Sequence, residues 1–371
     1  MEAILNKKRL FITTGLISLI NALTIIEQQS EEQCEDTLIV VSFNQNEEFI
    51  KTQTRIASLH NFKQIIFYKK EKELIKNINF EQYNAVYCIT FYKLTKLFSK
   101  LTNCYIFDEG PGYAIFNVQR LKNLSGFYIT NFLEKFSFID APAQIPVKFI
   151  NIDVFNSIAE KVLKEFGESS ILPTSRNVLF IGHYVYRKLG DDFAEAFYKK
   201  YIDYFIALGY NVYFKAHPRD NDVILPILKE TYKNNPSFKI LENKLPIEIY
   251  NYDFDLVIGA YSGMLVSLPH YRKIPSLNLP MKELYHTDVG MNFKKFFALY
   301  DEYTPSFDEM KFVLDKSKQE IWNHYEHILQ TKEKLNDNKL LKQILLYKSN
   351  VFDTVFLKRR KFYKLLKNYM S

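Results

Sequence analysis

With 371 residues the chain exceeds what one ordinary hydrophobic core holds, and two domains are expected. Hydrophobic residues at 47% and charged residues at 25% exclude a generally disordered protein, and a formal net charge of +7 without a nucleic-acid motif argues against a nucleic-acid partner. The three cysteines, Cys34, Cys88 and Cys104, lie in or beside apolar segments with no metal-ligand spacing, and they read as reduced core thiols of a cytosolic protein.

The apolar run from Leu10 to Leu23 is too short to cross a bilayer. It is interrupted by Thr13, Thr14, Gly15 and Ser18 and carries no small-residue cleavage site, so it reads as a buried strand turning into a helix. No other segment approaches a membrane span. Strands are expected at 9–14, 37–43, 64–69, 84–90 and 103–108, separated by helices at 16–28, 47–60 and 91–101. None of these strand runs alternates cleanly, which predicts a sheet covered on both faces. Around 140–150 the segment "DAPAQIPVKFI" carries two prolines and no helical period, and it reads as a linker followed by a polar helix over 155–167. The alternation restarts with 177–182, a helix near 190–208, then 211–216, 238–242, 255–260 and 274–279. This rhythm predicts an α/β protein of two Rossmann-like domains with parallel sheets facing across a cleft. The expected boundaries are 1–150, 151–330 and a C-terminal helical region over 331–371.

Three strand ends carry chemistry. "CYIFDEGPGY" closes an apolar run with Asp108 and Glu109, then Gly110, Pro111 and Gly112. Taken alone this is a strand ending in a solvated turn. At the carboxyl edge of a sheet, where ligands bind, two adjacent carboxylates would instead raise one pKa toward that of a base, and Gly110 would admit a substrate close to the backbone. "YFKAHPRD" places His217 where a strand ends and Pro218 stops it, flanked by Lys215 and Arg219. This is either an idle loop histidine or a donor to phosphate. "DLVIGAYSGMLVSLPHY" runs a buried strand into Gly259, Tyr261, Ser262 and Gly263, followed by a helix-like "MLVSL". It is either a simple helix cap or an anion site built from free N–H groups and a hydroxyl. The only close histidine pair, His324 and His327, has no Cys or carboxylate cluster beside it, and no metal site is expected.

The order of DEG at 108–110, HP at 217–218 and the serine turn at 259–263 across two α/β halves resembles the bacterial sialyltransferases of the polysialyltransferase and lipooligosaccharide sialyltransferase type. The resemblance implies a GT-B-like fold and inverting, metal-independent transfer of sialic acid from CMP-sialic acid to a bacterial surface glycan, lipooligosaccharide or capsule. It implies that Asp108 or Glu109 is the general base and that His217 protonates or hydrogen-bonds the departing CMP phosphate. Ser262 would bind that phosphate and Glu248 the cytidine ribose. Tyr261 and Gly263 depart from the double serine of some relatives. No cofactor is expected beyond the donor substrate. Another nucleotide sugar, such as CMP-Kdo or a UDP-sugar, and a non-catalytic glycan-binding or assembly role remain as alternatives.

After Asp353 the tail "TVFLKRRKFYKLLKNYMS" holds six Lys or Arg and no acid. On a helix its aromatic and leucine residues interleave with these cations. It reads as a packed helix with a solvated basic face, as a nucleic-acid contact, or as an anchor to the anionic inner-membrane surface. An enzyme that glycosylates a lipid-linked glycan would be cytoplasmic and peripheral on the inner membrane.

Overall fold

The computed structural model describes residues 7–29, 34–42, 46–89, 103–107, 125–129, 146–169, 176–183, 189–217, 223–279, 283, 286, 297, 300 and 304–335. The first half runs β1 (Lys7–Thr13), α1 (Leu16–Gln29), β2 (Cys34–Val41), α2 (Glu47–Ala57), β3 (Gln64–Tyr68), α3 (Glu71–Asn77), β4 (Ala85–Cys88), β5 (Cys104–Phe107), β6 (Gly126–Ile129) and β7 (Val147–Phe149). Then come α4 (Ile152–Phe166), β8 (Asn177–Ile181), α5 (Asp191–Ala207), β9 (Asn211–Lys215), α6 (Ile224–Thr231), β10 (Phe238–Ile240), a 3-10 turn (Ile247–Ile249), β11 (Leu256–Gly259), α7 (Met264–Arg272), β12 (Ser276–Asn278), α8 (Phe307–Met310) and α9 (Lys318–Leu335).

Among the described residues the strands form two sheets. One has the order β3-β2-β1-β4-β5-β6-β7 and the other β10-β9-β8-β11-β12, and every pairing is parallel. Parallel strands are joined by crossovers that put helices on the sheet faces, so the strands read as unbroken apolar runs. Leu10 to Thr13 of β1 and all of "NVLFI" in β8 are buried. The two-sheet α/β architecture expected from the sequence is the one found.

Three elements depart from expectation. β7 lies inside the stretch that reads as a linker. Pro146 has no N–H to give, but its carbonyl accepts the Phe127 N–H at 2.9 Å, so the proline opens an edge strand instead of breaking the sheet. β6, four residues long, pairs with β5 and β7 in a stretch where no strand is expected. α6 lies where no element is expected, and its Pro226 falls in the first turn, where a missing N–H costs nothing. The helix expected at 91–101 lies outside the described residues.

At the amino ends of the first sheet's strands a buried polar network replaces apolar packing. The Arg9 guanidinium donates to both Asp36 oxygens at 2.7 and 2.8 Å and to Gln29 Oε1 at 2.7 Å, and His60 Nε2 meets Asp36 Oδ2 at 2.8 Å. Burial alone would raise the Asp36 pKa, but the His60 and Arg9 hydrogen bonds outweigh it and hold it below the ordinary carboxylate value. This network is remote from the carboxyl edges where ligands bind.

The two halves meet through α4. It packs on α1 from the first half and on α7 and the 3-10 turn from the second. Phe155 stacks on Tyr271 at 3.9 Å between centroids, and the Tyr271 hydroxyl donates to Asn21 Oδ1 at 3.3 Å. One continuous hydrophobic cluster includes buried residues of both sheets. Among the described residues no helix is long and apolar enough to cross a membrane.

Candidate functional site

The second sheet reverses its winding direction at β8. From β8 the chain proceeds to β9 and β10 on one side, and β11 and β12 fill the other. Such a switch point opens a crevice at the carboxyl ends of the strands. His217 stands two residues beyond the end of β9, and Ser262 stands three residues beyond the end of β11. Two separate sequence signals thus converge on the two neighbours of the central strand.

The backbone there is held tightly. The Gly182 N–H, just past β8, donates to Lys215 O at 2.9 Å. A Cβ on Gly182 would lie 3.0 Å from Phe214 Cζ and 3.3 Å from both Lys215 O and the His217 backbone nitrogen, so glycine lets the chain from Phe214 to His217 seat against the end of β8. On the other side a Cβ on Gly259 would lie 3.0 Å from Ile181 O. Tyr261 takes the left-handed conformation at φ +52°, uncommon for an aromatic residue. Its N–H donates to the buried Asn278 Oδ1 at 3.1 Å, and its ring stacks on Phe297 at 4.2 Å. This turn delivers Ser262 to the start of α7. Gly263 occupies the cap position, and Ser262 Oγ accepts the Met264 N–H at 3.3 Å. The Met264, Leu265 and Val266 N–H groups are taken by Ser262 Oγ, Ser262 O and Gly263 O, so at this helix start the Ser262 hydroxyl is the group placed to donate to an anion, in place of the free amides expected there.

Glu248 sits in the 3-10 turn behind this edge and is almost wholly buried. Ser267 Oγ of α7 donates to its Oε1 at 3.1 Å. Burial raises the Glu248 pKa, while its own backbone, Ser267, Lys215 and Arg272 oppose the rise. Burial likewise lowers the pKa of Lys215, partly offset by the Glu248 charge. Arg272, at the far end of α7, donates to Glu248 O, Ile249 O and Asn156 Oδ1, each at 2.7 Å, and burial pushes its pKa down to about 10. Three elements are thereby fixed around the carboxylate.

Of the residues singled out in the sequence, Lys215, His217, Glu248, Gly259, Tyr261, Ser262 and Gly263 belong to this edge of the second sheet. Asp108, Glu109 and Gly110 follow β5 directly, and Pro218 and Arg219 follow His217, but all five lie outside the described residues. Sequence reading passed over Gly182, His183, Ser267, Arg272 and Asn278. The first two carried a signal, a Gly-His pair at a strand end; the others are recognisable only in space.

The family model described as Alpha-2,8-polysialyltransferase (POLYST) matches residues 9–279, which includes all three motif regions. Comparison with curated proteins gives no match. Among solved structures, the fold is similar to that of a Listeria monocytogenes protein assigned as a UDP-N-acetylglucosamine 2-epimerase. The identity is 12%, the TM-score 0.55, and the match covers 94% of this chain and 96% of that one. A UDP-GlcNAc 2-epimerase from Neisseria meningitidis bound to UDP-GlcNAc is similar at 12% identity and TM-score 0.52, covering 88% of this chain and 100% of that one. At such identities the likeness concerns the fold, which is GT-B-like.

Proposed function

Because the chain belongs to the alpha-2,8-polysialyltransferase family and is a glycosyltransferase, we propose that its donor is CMP-sialic acid and that it transfers sialic acid with inversion, without a metal ion, to a hydroxyl of a bacterial surface glycan. The observation that carries this reading is the convergence of His217 and the Ser262 turn on either side of the central strand of the second sheet.

In this reading the acceptor oxygen attacks the anomeric carbon of the sugar as the bond from that carbon to the CMP phosphate oxygen breaks. The acceptor proton passes to Asp108 or Glu109, and CMP leaves with the bonding electron pair. The growing charge on phosphate is met by His217 and by the Ser262 hydroxyl, donors placed at the sheet edge before reaction. Glu248 holds the cytidine ribose, its carboxylate aimed by Ser267 and by the cationic groups of Lys215 and Arg272. Protein donors of this kind take the part that a divalent cation plays in other transferases, so activity is expected to persist in EDTA. The basic tail after Asp353 would hold the enzyme at the anionic inner-membrane surface, beside a lipid-linked or capsular acceptor.

Incubation with CMP-Neu5Ac and sialylated or galactose-terminated acceptors tests the proposal. CMP release is expected to depend on acceptor and to fall about 10²–10⁴-fold in His217→Ala and in the Asp108→Ala/Glu109→Ala double variant. A larger thermal shift with CMP-Kdo or a UDP-sugar than with CMP-Neu5Ac would overturn the donor assignment. Glycan binding that needs no nucleotide and survives mutation of all three motifs would overturn catalysis itself.

A further inference from the structure

The central strand of the second sheet also ends in a histidine. Ile181 of β8 pairs with Lys215 of β9 and with Gly259 of β11. His183 follows the central strand by two residues, while His217 follows β9 and the Ser262 turn follows β11, the strands on either side of it. The rings of His183 and His217 lie 5.7 Å apart at 51°. His183 therefore emerges at the switch point itself, between the two groups already assigned to the donor phosphate.

Its backbone is fixed from below. The hydroxyl of Tyr198, a fully buried residue of α5, accepts the His183 N–H at 2.8 Å and donates to the His183 carbonyl at 3.2 Å. One hydroxyl thus satisfies both polar backbone groups of a single residue. The Tyr198 ring is wedged edge-on against Phe180 and Phe214, so the clamp is anchored in the strands that bear the two histidines. Gly182 closes the arrangement, since it is the absence of a side chain there that lets His217 approach. His183 is half-buried, and with both backbone groups held its Cα is fixed at the carboxyl edge of the sheet.

We propose that His183 is a second imidazole ligand of the donor's phosphate, donating a hydrogen bond to an oxygen that His217 does not reach. The inference rests on the reading that a nucleotide sugar is the donor. A phosphate over this edge would be held from three adjacent strands: by His217 after β9, by His183 after β8 and by the Ser262 turn after β11. His183 makes no bond change and transfers no proton in this account.

The test compares CMP with cytidine by titration calorimetry on the full chain and on His183→Ala and His183→Gln. A hydrogen bond to a charged phosphate is worth roughly 1.5–3 kcal/mol, so His183→Ala is expected to weaken CMP by about 10–150-fold and to leave cytidine unchanged. His183→Gln, which keeps a donor of similar reach, is expected to recover part of the loss and guards against a folding defect in the alanine variant. Equal losses for CMP and cytidine, or no loss for CMP, would overturn the proposal. A wild-type panel of nucleoside monophosphates and diphosphates separates the two readings. If the wild type prefers another base, the donor assignment fails, and His183 is judged by the same ratio with that nucleotide and its nucleoside. If it binds none, both fail.

Discussion

At the scale of single residues, the candidate site has a carboxylate kept out of water behind it. Glu248 has its folded pKa raised above the ordinary value of 4.5 by burial, against the pull of Ser267, Lys215 and Arg272. Between 4.5 and the folded value the native protein therefore holds a proton that the unfolded chain has lost, and stability falls as pH rises through that interval. Glu248→Gln has no proton to lose there. The stability of the wild type relative to that of Glu248→Gln is expected to decline as pH rises through the interval, as read from denaturant unfolding of both proteins at a series of pH values. The residues legible in the sequence were those with a local signature: a histidine before proline at 217, and a serine among small residues at 262. His183 has the same placement as His217 but lacks the proline that draws attention to it. Arg272 and Asn278 gave no sign, because what defines them is contact with Glu248 and Tyr261 across intervals of 24 and 17 residues.

At the scale of elements, the strand ends matter more than the strands. The long apolar runs of β1, β2, β8 and β9 were readable because a strand covered on both faces needs no polar alternation. β6 and β7 were not: β7 follows two prolines in a stretch that reads as a linker, and β6 was passed over although β4, β5 and β11, of the same length, were read. The helix after the serine turn was expected over "MLVSL" alone, yet α7 continues through Pro269 to Arg272. Proline removes one backbone bond, but the last turn is held by Arg272 and by Tyr271 stacked on Phe155, contacts that no local propensity describes. The tight seam between Gly182 and the chain from Phe214 to His217 offers a direct test. In Gly182→Ala the added methyl meets the buried Phe214 ring and the Lys215 and His217 backbone, and one of them must move by a few tenths of an ångström. The expected result is a loss of about 1–3 kcal/mol in unfolding experiments together with a fall in kcat/KM for donor, because the displaced segment carries His217. A stability loss with unchanged kcat/KM would detach the seam from function.

At the scale of the whole molecule, the halves are joined by packing as well as by chain. Phe155 is fully buried on α4 and lies against Tyr271 of α7 within a hydrophobic cluster that includes residues of both sheets. The wild type is therefore expected to melt as one cooperative unit, with calorimetric and van't Hoff enthalpies equal. Phe155→Ala is expected to cost about 3–5 kcal/mol and to split the endotherm in differential scanning calorimetry, since it empties the contact between the two units. An undivided endotherm would mean that the remaining contacts suffice. Helix α7 draws these scales together. Its front end gathers the groups proposed to grip phosphate, and its rear end is bolted by Arg272 to Asn156 of the joining helix. Nine helical residues make a strut of only ~13 Å. A displacement at the front of α7 would be passed along that strut to the joint between the halves, so the segment that bears Ser262 and the packing of α4 move as one piece.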